Sequence, residues 1–214
     1  MRVEFTGPAG RIEGIVDGDP RKAQDEQRVP RAAVVFAHPL PTEGGTMHTK
    51  AVFQGTKGLV RIGCAVLRFN FRGVGKSEGA FDEGRGERED FTAAIDFMAK
   101  RYPGVPIWAA GFSFGSNVAL ETGAVDDRVK VLIGIAPPVT RENYDFANTL
   151  ASTKPKFFVQ GSEDELCPLE GMWAFYGKLQ EPKELVVIDG ADHLFTGQAQ
   201  EVGEALQDLL GDYE

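Results

Sequence analysis

The stretch WAAGFSFGSN, residues 108–117, places Ser113 between two glycines, Gly111 and Gly115, directly after an apolar run. The pentapeptide GFSFG fits the Gly-x-Ser-x-Gly pattern, in which a serine occupies a sharp turn between a strand and a helix. Side chains at the two glycine positions would collide in so tight a turn. The pattern therefore predicts a serine hydroxyl held clear of the backbone, which can act as a nucleophile if a base lies beside it.

The composition is that of an acidic globular protein. The chain has 214 residues and a formal net charge of −9, and residues 1–214 are predicted to form a single domain. No basic patch is present, so nucleic acid is not an expected partner. Cys64 and Cys167 lie far apart without metal-ligand spacing, and both are expected to be reduced thiols. Neither a metal nor a cofactor is predicted.

The termini and the hydrophobic runs carry no sign of targeting to a membrane. Residues 1–14 lack the apolar segment of a signal peptide, and no apolar run approaches the roughly 18 residues that a membrane span needs. The sequence therefore favours a soluble, cytoplasmic protein. Its oligomeric state is not determined by these features, and a homodimer is compatible with them.

Short β-rich runs alternate with longer helical ones. A hairpin around Gly7-Pro8 is predicted at residues 3–18, followed by buried strands at 32–39, 64–71, 106–113, 129–138, 154–161 and 183–190. Helices are predicted at 46–62, 87–103, 114–123, 168–179 and 198–210, with a charged loop at 21–30. This alternation predicts an α/β protein whose mostly parallel sheet has helices on both faces. In such sheets ligands bind at the carboxyl ends of the strands.

A base for Ser113 is predicted from the same rule. Of the three histidines, only His193 follows a strand later in the chain than the serine, in the loop GADHLF. A carboxylate is needed to orient that imidazole, and Asp164 lies in an acidic turn just beyond another strand end. Glu163 and Glu165 are its rivals, whereas Asp192 is interpreted as a turn residue because it adjoins the histidine itself.

The chain order Ser113, Asp164, His193 resembles that of the α/β-hydrolase superfamily. The resemblance extends over nearly the whole chain and is carried by FAHPLPTEGGTMHTK, VLRFNFRGVGKSEGAFDEG, GFSFGS, QGSEDELCP and GADHLF. The sequence is most similar to small lidless bacterial hydrolases of the dienelactone-hydrolase-like kind. The resemblance implies an α/β-hydrolase fold with an eight-stranded sheet, whose first strands are antiparallel, and no cap domain.

An oxyanion hole of two backbone N–H groups is expected beside the serine. One donor is Phe114, the residue after the nucleophile, and the other comes from the loop HPLPTEGG. Pro39 has no N–H, so Leu40 is the predicted second donor. His38 resembles a loop histidine of the family and is expected to brace this loop, while His48 is interpreted as a surface residue of a helix.

The substrate site is predicted to be open and shallow. Residues 137–154 can hold a loop and a short helix but no lid domain, which disfavours long lipid substrates. Tyr144, Phe146 and Leu194 are predicted to contact the substrate, and Phe114 and Phe195 could add to the same apolar wall or pack in the core.

A serine nucleophile favours acyl transfer from a small-molecule ester to water. A peptidase or an acyltransferase on the same triad is the alternative, as is a non-catalytic binding protein of this fold. The segment NFRGVGKSEG, residues 70–79, nearly matches a phosphate-binding loop, but Asn70 stands where glycine is required and no helix follows. Arg72 in this segment is expected to form a structural salt bridge or to brace the site.

Overall fold

The structure, a computed structural model, describes residues 1–20 and 29–213 and is built on one twisted sheet. Its strands are β1 (Arg2–Gly7), β2 (Gly10–Asp17), β3 (Ala33–Ala37), β4 (Ala65–Phe69), β5 (Ile107–Phe112), β6 (Val129–Ile135), β7 (Lys156–Gly161) and β8 (Lys183–Ile188). They are ordered β1-β2-β4-β3-β5-β6-β7-β8. The β1–β2 and β2–β4 pairs are antiparallel and the others are parallel, as the resemblance implied.

Helices cover both faces of this sheet. They are α1 (Lys50–Arg61), α2 (Arg85–Arg101), α3 (Phe114–Val125), α4 (Ala147–Ala151), α5 (Leu169–Tyr176) and α6 (Ala199–Gly211). Alternate residues of β3 enter two separate cores: Ala33 and Val35 pack with α2 and α3, while Val34 and Phe36 pack with α1 and α6. Both faces of the strands are therefore buried, which explains their continuous apolar runs.

The connection between β6 and β7 contains only the five-residue α4, so no lid covers the carboxyl ends of the strands. The eight-stranded, mostly parallel architecture without a cap confirms the predicted fold. Of the charged loop predicted at residues 21–30, residues 21–28 lie outside the part of the chain that the structure describes.

Helix α1 begins later than the sequence predicted. The prediction began at Thr46, but Met47 and His48 form a turn and the helix begins at Lys50. The backbone of Met47 is held by the neighbouring strand instead, because its N–H donates to Asn70 Oδ1 at 2.9 Å and its carbonyl accepts from Arg68 Nη1 at 2.8 Å. His48 is therefore an exposed turn residue rather than a helical one.

Other helix ends also differ from the predictions, and α2 runs from Arg85 to Arg101 instead of over residues 87–103. Helix α3 continues past Gly123 to Val125, where the Lys154 ammonium donates to the carbonyls of Gly123 and Asp126 at 2.8 and 2.7 Å. Helix α5 ends at Tyr176, three residues before the predicted end at residue 179. Lys183 Nζ donates to the carbonyls of Tyr176 and Leu179 there. In both places a lysine from outside the helix satisfies carbonyls at its end: Lys154 is 31 residues from Gly123, whereas Lys183 is only seven from Tyr176.

The glycine-rich segment after β4 packs against the rest of the fold. Glu13 Oε1 accepts hydrogen bonds from the Lys76 N–H at 2.7 Å and from Asn70 Nδ2 at 2.8 Å, which ties the segment to β2. Arg72 donates from Nε and Nη2 to the two carboxylate oxygens of the buried Asp90 in α2, at 3.0 and 2.8 Å. The salt-bridge interpretation of Arg72 is therefore the one that its geometry supports.

Helices α1 and α6 touch at Gly58 and Gly203, and we predict that Gly58→Ala destabilises the protein. A Cβ at residue 58 would lie 2.0 Å from the Gly203 carbonyl oxygen, so the two helices would have to separate. The expected loss is about 1–3 kcal/mol of unfolding free energy, measured by urea denaturation. Gly211→Ala, at a helix end with open space, is the matched control and should change the midpoint little. Equal midpoints for the two variants would contradict this packing argument.

Candidate active site

Ser113 occupies a strained turn between β5 and α3. Its backbone φ is +53°, a left-handed value that is unfavourable for a residue with a side chain. Two backbone hydrogen bonds hold this conformation: the Ser113 N–H donates to the Ile135 carbonyl at 2.9 Å, and the Ser113 carbonyl accepts from the Ser116 N–H at 2.8 Å. The turn directs the chain from the sheet into the helix, and Ser113 stands at the amino end of α3.

The two glycines of the pentapeptide are required by close backbone contacts. A Cβ at Gly111 would lie 2.1 Å from the Gly115 carbonyl oxygen, within the turn itself. A Cβ at Gly115 would lie 2.3 Å from the His38 carbonyl oxygen, at the end of β3. The first turn of α3 therefore rests directly on the backbone of the loop that begins at His38.

His193 lies beside the serine, in the loop that follows β8. Its Nε2 is 2.8 Å from Ser113 Oγ, and its Nδ1 is 2.8 Å from Asp164 Oδ2. The side chain is 10% exposed, and its ring lies 5.6 Å from that of Phe112. Because an ionised carboxylate only accepts hydrogen bonds, Nδ1 carries the proton toward Asp164 and Nε2 is left to accept from the serine hydroxyl.

Asp164 is buried and fully hydrogen-bonded. Its Oδ1 accepts from the N–H groups of Leu166 and Cys167 at 2.9 and 2.8 Å, and its Oδ2 accepts from Gln160 Nε2 at 2.9 Å in addition to His193. The residue as a whole is 3% exposed, and its side chain is fully buried. These donors fix the carboxyl group in the turn and orient it toward the imidazole.

The other acidic residues near the imidazole are placed differently. Glu163 and Glu165 are exposed, and the Asp192 carboxylate accepts from the Thr196 N–H at 2.8 Å within its own turn. The Glu163 N–H donates to the Ala191 carbonyl at 3.0 Å, which joins the loop after β7 to the loop after β8. This pairing brings Asp164 and His193 together across 29 residues of sequence.

The loop after β3 is ordered by His38, which is fully buried. His38 Nδ1 is 2.6 Å from the Pro39 carbonyl oxygen, and Nε2 accepts from the Phe71 N–H at 3.1 Å. Burial lowers the pKa of His38 to about 4, so the ring is neutral near pH 7, with its proton on Nδ1. Both ring nitrogens are occupied by backbone groups, so this histidine has no free nitrogen to serve as a base.

The contact between His38 Nδ1 and the Pro39 carbonyl oxygen also fixes the orientation of the Leu40 N–H. The Pro39 carbonyl and the Leu40 N–H belong to one planar trans peptide group and point in opposite directions. The Leu40 carbonyl is held in turn by the N–H groups of Glu43 and Gly45, at 3.2 and 3.0 Å. Among the residues that the structure describes, neither the Leu40 nor the Phe114 N–H donates to a protein acceptor.

A cavity of about 560 Å³ opens above Ser113 and His193. Its walls come from loops that follow β3, β6, β7 and β8. Side chains from these four loops include Leu40, Glu43, Arg141, Tyr144, Leu166 and Leu194. Leu166 and Leu194 are 47% and 59% exposed, which makes part of the rim apolar.

Of the three predicted substrate contacts, Tyr144 and Leu194 line this cavity but Phe146 does not. Phe146 is buried, with its ring 5.2 Å from that of Phe175, so it belongs to the core beneath the site. The rings of Phe114 and Phe195 are also buried in the two cores. The prediction of Phe146 as a substrate contact is corrected accordingly.

Sequence reasoning missed several residues at this site, among them three side chains of the cavity wall and one that supports Asp164. Glu43, Arg141 and Leu166 line the cavity, and Gln160 holds Asp164 from the end of β7. Each of the three lining residues lies in a loop that follows a strand end, and that position was a usable signal. No comparable signal marked Gln160, because a glutamine inside a strand is not by itself unusual.

Both cysteines, Cys64 and Cys167, are buried free thiols, as expected from their spacing. Burial raises the pKa of Cys64 to about 12 and that of Cys167 to about 11, so neither is a reactive thiolate near pH 7. Within residues 1–20 and 29–213, none of the helices has the length and apolarity needed to cross a membrane.

Comparison with known proteins identifies the family of this chain. Residues 28–154 match the model of the family described as serine aminopeptidase, S33. A curated but uncharacterized protein of Rickettsia prowazekii is 35% identical over 98% of this chain and 88% of its own length. The structure of an α/β serine hydrolase homologue from Coxiella burnetii is 37% identical, with a TM-score of 0.87 over 98% of this chain and 97% of that one.

A serine hydrolase without a lid from Xanthomonas campestris is also similar, with 33% identity and a TM-score of 0.86 over 98% of this chain and 93% of that one. The dienelactone-hydrolase-like grouping stays a prediction. The family match, the two similar structures and the lidless eight-stranded sheet all agree: this chain belongs to the α/β-hydrolase superfamily, among its serine hydrolases.

Proposed function

We propose that this protein hydrolyses carboxylic esters, with Ser113 as nucleophile, His193 as general base and Asp164 as the group that orients the base. The observation that carries this proposal is the pair of 2.8 Å contacts that join the hydroxyl, the imidazole and the buried carboxylate. A serine hydroxyl is a poor nucleophile alone, and a neutral imidazole nitrogen at hydrogen-bonding distance activates it.

The proposed reaction has two acyl-transfer steps. Ser113 Oγ attacks the ester carbonyl carbon while His193 Nε2 takes the hydroxyl proton, and the tetrahedral intermediate carries a negative oxygen. The imidazolium, stabilised by Asp164, gives its proton to the departing alcohol oxygen, and an acyl-enzyme remains. Water then attacks the acyl carbon, His193 takes its proton and returns it to Ser113, and the carboxylic acid leaves.

The negative oxygen of each intermediate is proposed to bind the N–H groups of Leu40 and Phe114. The fixed Pro39–Leu40 peptide supports this role, because an N–H group that is already oriented costs no reorganisation in the transition state. Loss of one such donor typically costs roughly 3–4 kcal/mol of transition-state stabilisation. His38 is thus a positioning residue in this proposal, and it takes no proton during the reaction.

A peptidase with the same residues is the second candidate, since the matching family is described as an aminopeptidase. We expect ester hydrolysis to predominate: 4-nitrophenyl butyrate should be hydrolysed far faster than the 4-nitroanilides of alanine, leucine and proline. Both substrate types release a coloured product, so one spectrophotometric assay compares their kcat/KM values directly. Equal or faster turnover of an anilide would favour the peptidase instead.

Replacement of the nucleophile tests the proposal itself. Ser113→Ala should reduce kcat for 4-nitrophenyl butyrate by a factor on the order of 10³ or more, because no acyl-enzyme can form. Labelling by a fluorophosphonate probe should be lost in the same variant. Ser152→Ala, near the amino end of β7, is the matched control and should keep both properties. Undiminished hydrolysis by the Ser113 variant would end the assignment.

The neutral state of His38 gives the fold a pH dependence. Burial holds its pKa near 4 rather than at the ordinary 6.5, so the unfolded chain binds a proton more readily between these values. The unfolding free energy should therefore decrease as pH falls from 6.5 toward 4, with a His38 contribution of up to about 1.4 kcal/mol per pH unit.

Urea denaturation between pH 4 and pH 7 measures this slope. His38→Asn should flatten it, while His48→Asn, which alters an exposed histidine, should leave it unchanged. If all three proteins show the same slope, protonation of His38 does not limit the stability of this loop.

A further inference from the structure

The cavity above Ser113 carries opposite charges on its two sides. Strands β3 and β6 flank β5, so the loops that follow them lie on opposite sides of Ser113. The loop after β3 contributes the exposed Glu43 to the cavity wall, and the connection after β6 contributes the exposed Arg141. A bound substrate that extends to both sides of the serine therefore meets an anion at one end and a cation at the other.

The guanidinium of Arg141 forms no ion pair or hydrogen bond with the part of the chain that the structure describes. Within residues 1–20 and 29–213, no carboxylate pairs with it, whereas Arg68, Arg72, Arg101 and Arg128 all form ion pairs. The Tyr144 phenol lies close to it: burial raises the pKa of Tyr144, and a hydrogen bond with Asn143 and the charge of Arg141 partly offset that rise. An unpaired arginine in the wall of a catalytic cavity has its planar donor fork available to a ligand.

The segment that carries Arg141 is anchored to the helix that begins after the nucleophile. Asn117 Nδ2 in α3 donates to the Asp145 carbonyl at 2.7 Å. The buried Glu121, one turn further along α3, accepts from the Thr149 N–H and hydroxyl at 2.8 and 2.6 Å. The backbone of Arg141 is also fixed locally, since its N–H donates to the Pro138 carbonyl at 3.2 Å. These hydrogen bonds therefore fix the backbone of Arg141 on one side of Ser113.

Arg141 is a positive charge on a surface that is otherwise mostly acidic. The chain as a whole carries a formal net charge of −9, and the loops around the cavity add the exposed acids Glu142, Glu163, Glu165 and Asp192. Such a surface repels free anions in general. Arg141 is therefore expected to bind an anionic group only when that group is part of a substrate that also binds elsewhere in the cavity. Carboxylates are the groups that an arginine fork binds best in proteins, together with phosphates.

We propose that the ester substrates of this site carry a carboxylate on the part that lies against the β6–α4 connection, where Arg141 binds it. This inference rests on the proposed esterase function and adds a substrate class to it. Arg141 is a specificity residue that contacts a remote group, and it has no part in the proton transfers at Ser113. Glu43, on the opposite wall, faces the uncharged end of the substrate and opposes binding in the reversed direction.

The test uses two pairs of esters that differ only in charge. In the first pair the acyl group ends in a carboxylate or its carboxamide: mono(4-nitrophenyl) adipate against 4-nitrophenyl 5-carbamoylpentanoate. In the second pair the leaving group bears the charge: 4-carboxyphenyl acetate against 4-carbamoylphenyl acetate. At low ionic strength the wild-type kcat/KM should favour the charged member of one pair, and that pair identifies the moiety that faces Arg141.

Arg141→Gln should lower kcat/KM for the favoured charged ester by about two- to fivefold, the scale of a solvent-exposed ion pair, and leave its carboxamide partner unchanged. Arg141→Lys should keep part of the preference, and added salt should diminish it. Arg128→Gln, at the amino end of β6 and far from the cavity, makes the same change in net charge and should alter neither ratio.

The outcomes separate this inference from the function on which it rests. If the carboxamides are hydrolysed and Ser113 is labelled, but neither pair shows a charge preference that depends on Arg141, the esterase proposal stands and the carboxylate proposal is wrong. A preference for 4-(aminomethyl)phenyl acetate that is lost in Glu43→Gln would likewise overturn it, in favour of cationic substrates. Failure to hydrolyse any of these esters would overturn both proposals.

Discussion

The position of the Ser113 hydroxyl depends on how closely the first turn of α3 approaches the ends of β3 and β5. At two points in this contact a single extra carbon would meet a backbone oxygen at 2.1–2.3 Å, which is why Gly111 and Gly115 flank the serine. The same contact places the helix start directly on the loop that contains Leu40. Ser113 and both proposed oxyanion donors are thus held by close backbone-to-backbone contacts, which side-chain motion alone cannot loosen.

The two buried histidines show how hydrogen-bond partners decide a role. His38 has a carbonyl at one ring nitrogen and an N–H at the other, so its tautomer is fixed and nothing is left to accept a proton. His193 has a carboxylate at Nδ1 and the serine hydroxyl at Nε2. One ring therefore suits the fixing of a peptide group, and the other suits the transfer of a proton, although both are largely removed from water.

Because no lid covers the site, short loops form the walls of the cavity. The connection after β6 has no domain to fold against, and it is held instead by polar side chains of α3, Asn117 and the buried Glu121. These anchors lie in the helix that begins directly after Ser113, so this part of the cavity wall and the serine share one support. The conformation of this cavity wall is thus fixed by hydrogen bonds to α3 and not by packing against a lid.

The sequence by itself determined the strands, the two-sided burial, the strand-turn-helix context of Ser113 and the order in which its partners follow. These features depend on hydrophobic periodicity, glycine positions and the order of motifs along the chain. Each of these can be read from short segments of sequence without knowing which segments meet in space. Tertiary structure alone decided that Asp164, not Glu163 or Glu165, meets His193, because the pairing of two loops turns one carboxylate inward. It also placed Phe146 in the core, Arg141 in the cavity wall and the Lys154 ammonium at the end of α3. Such outcomes depend on which loops meet in space, and residue patterns along the chain do not contain that information.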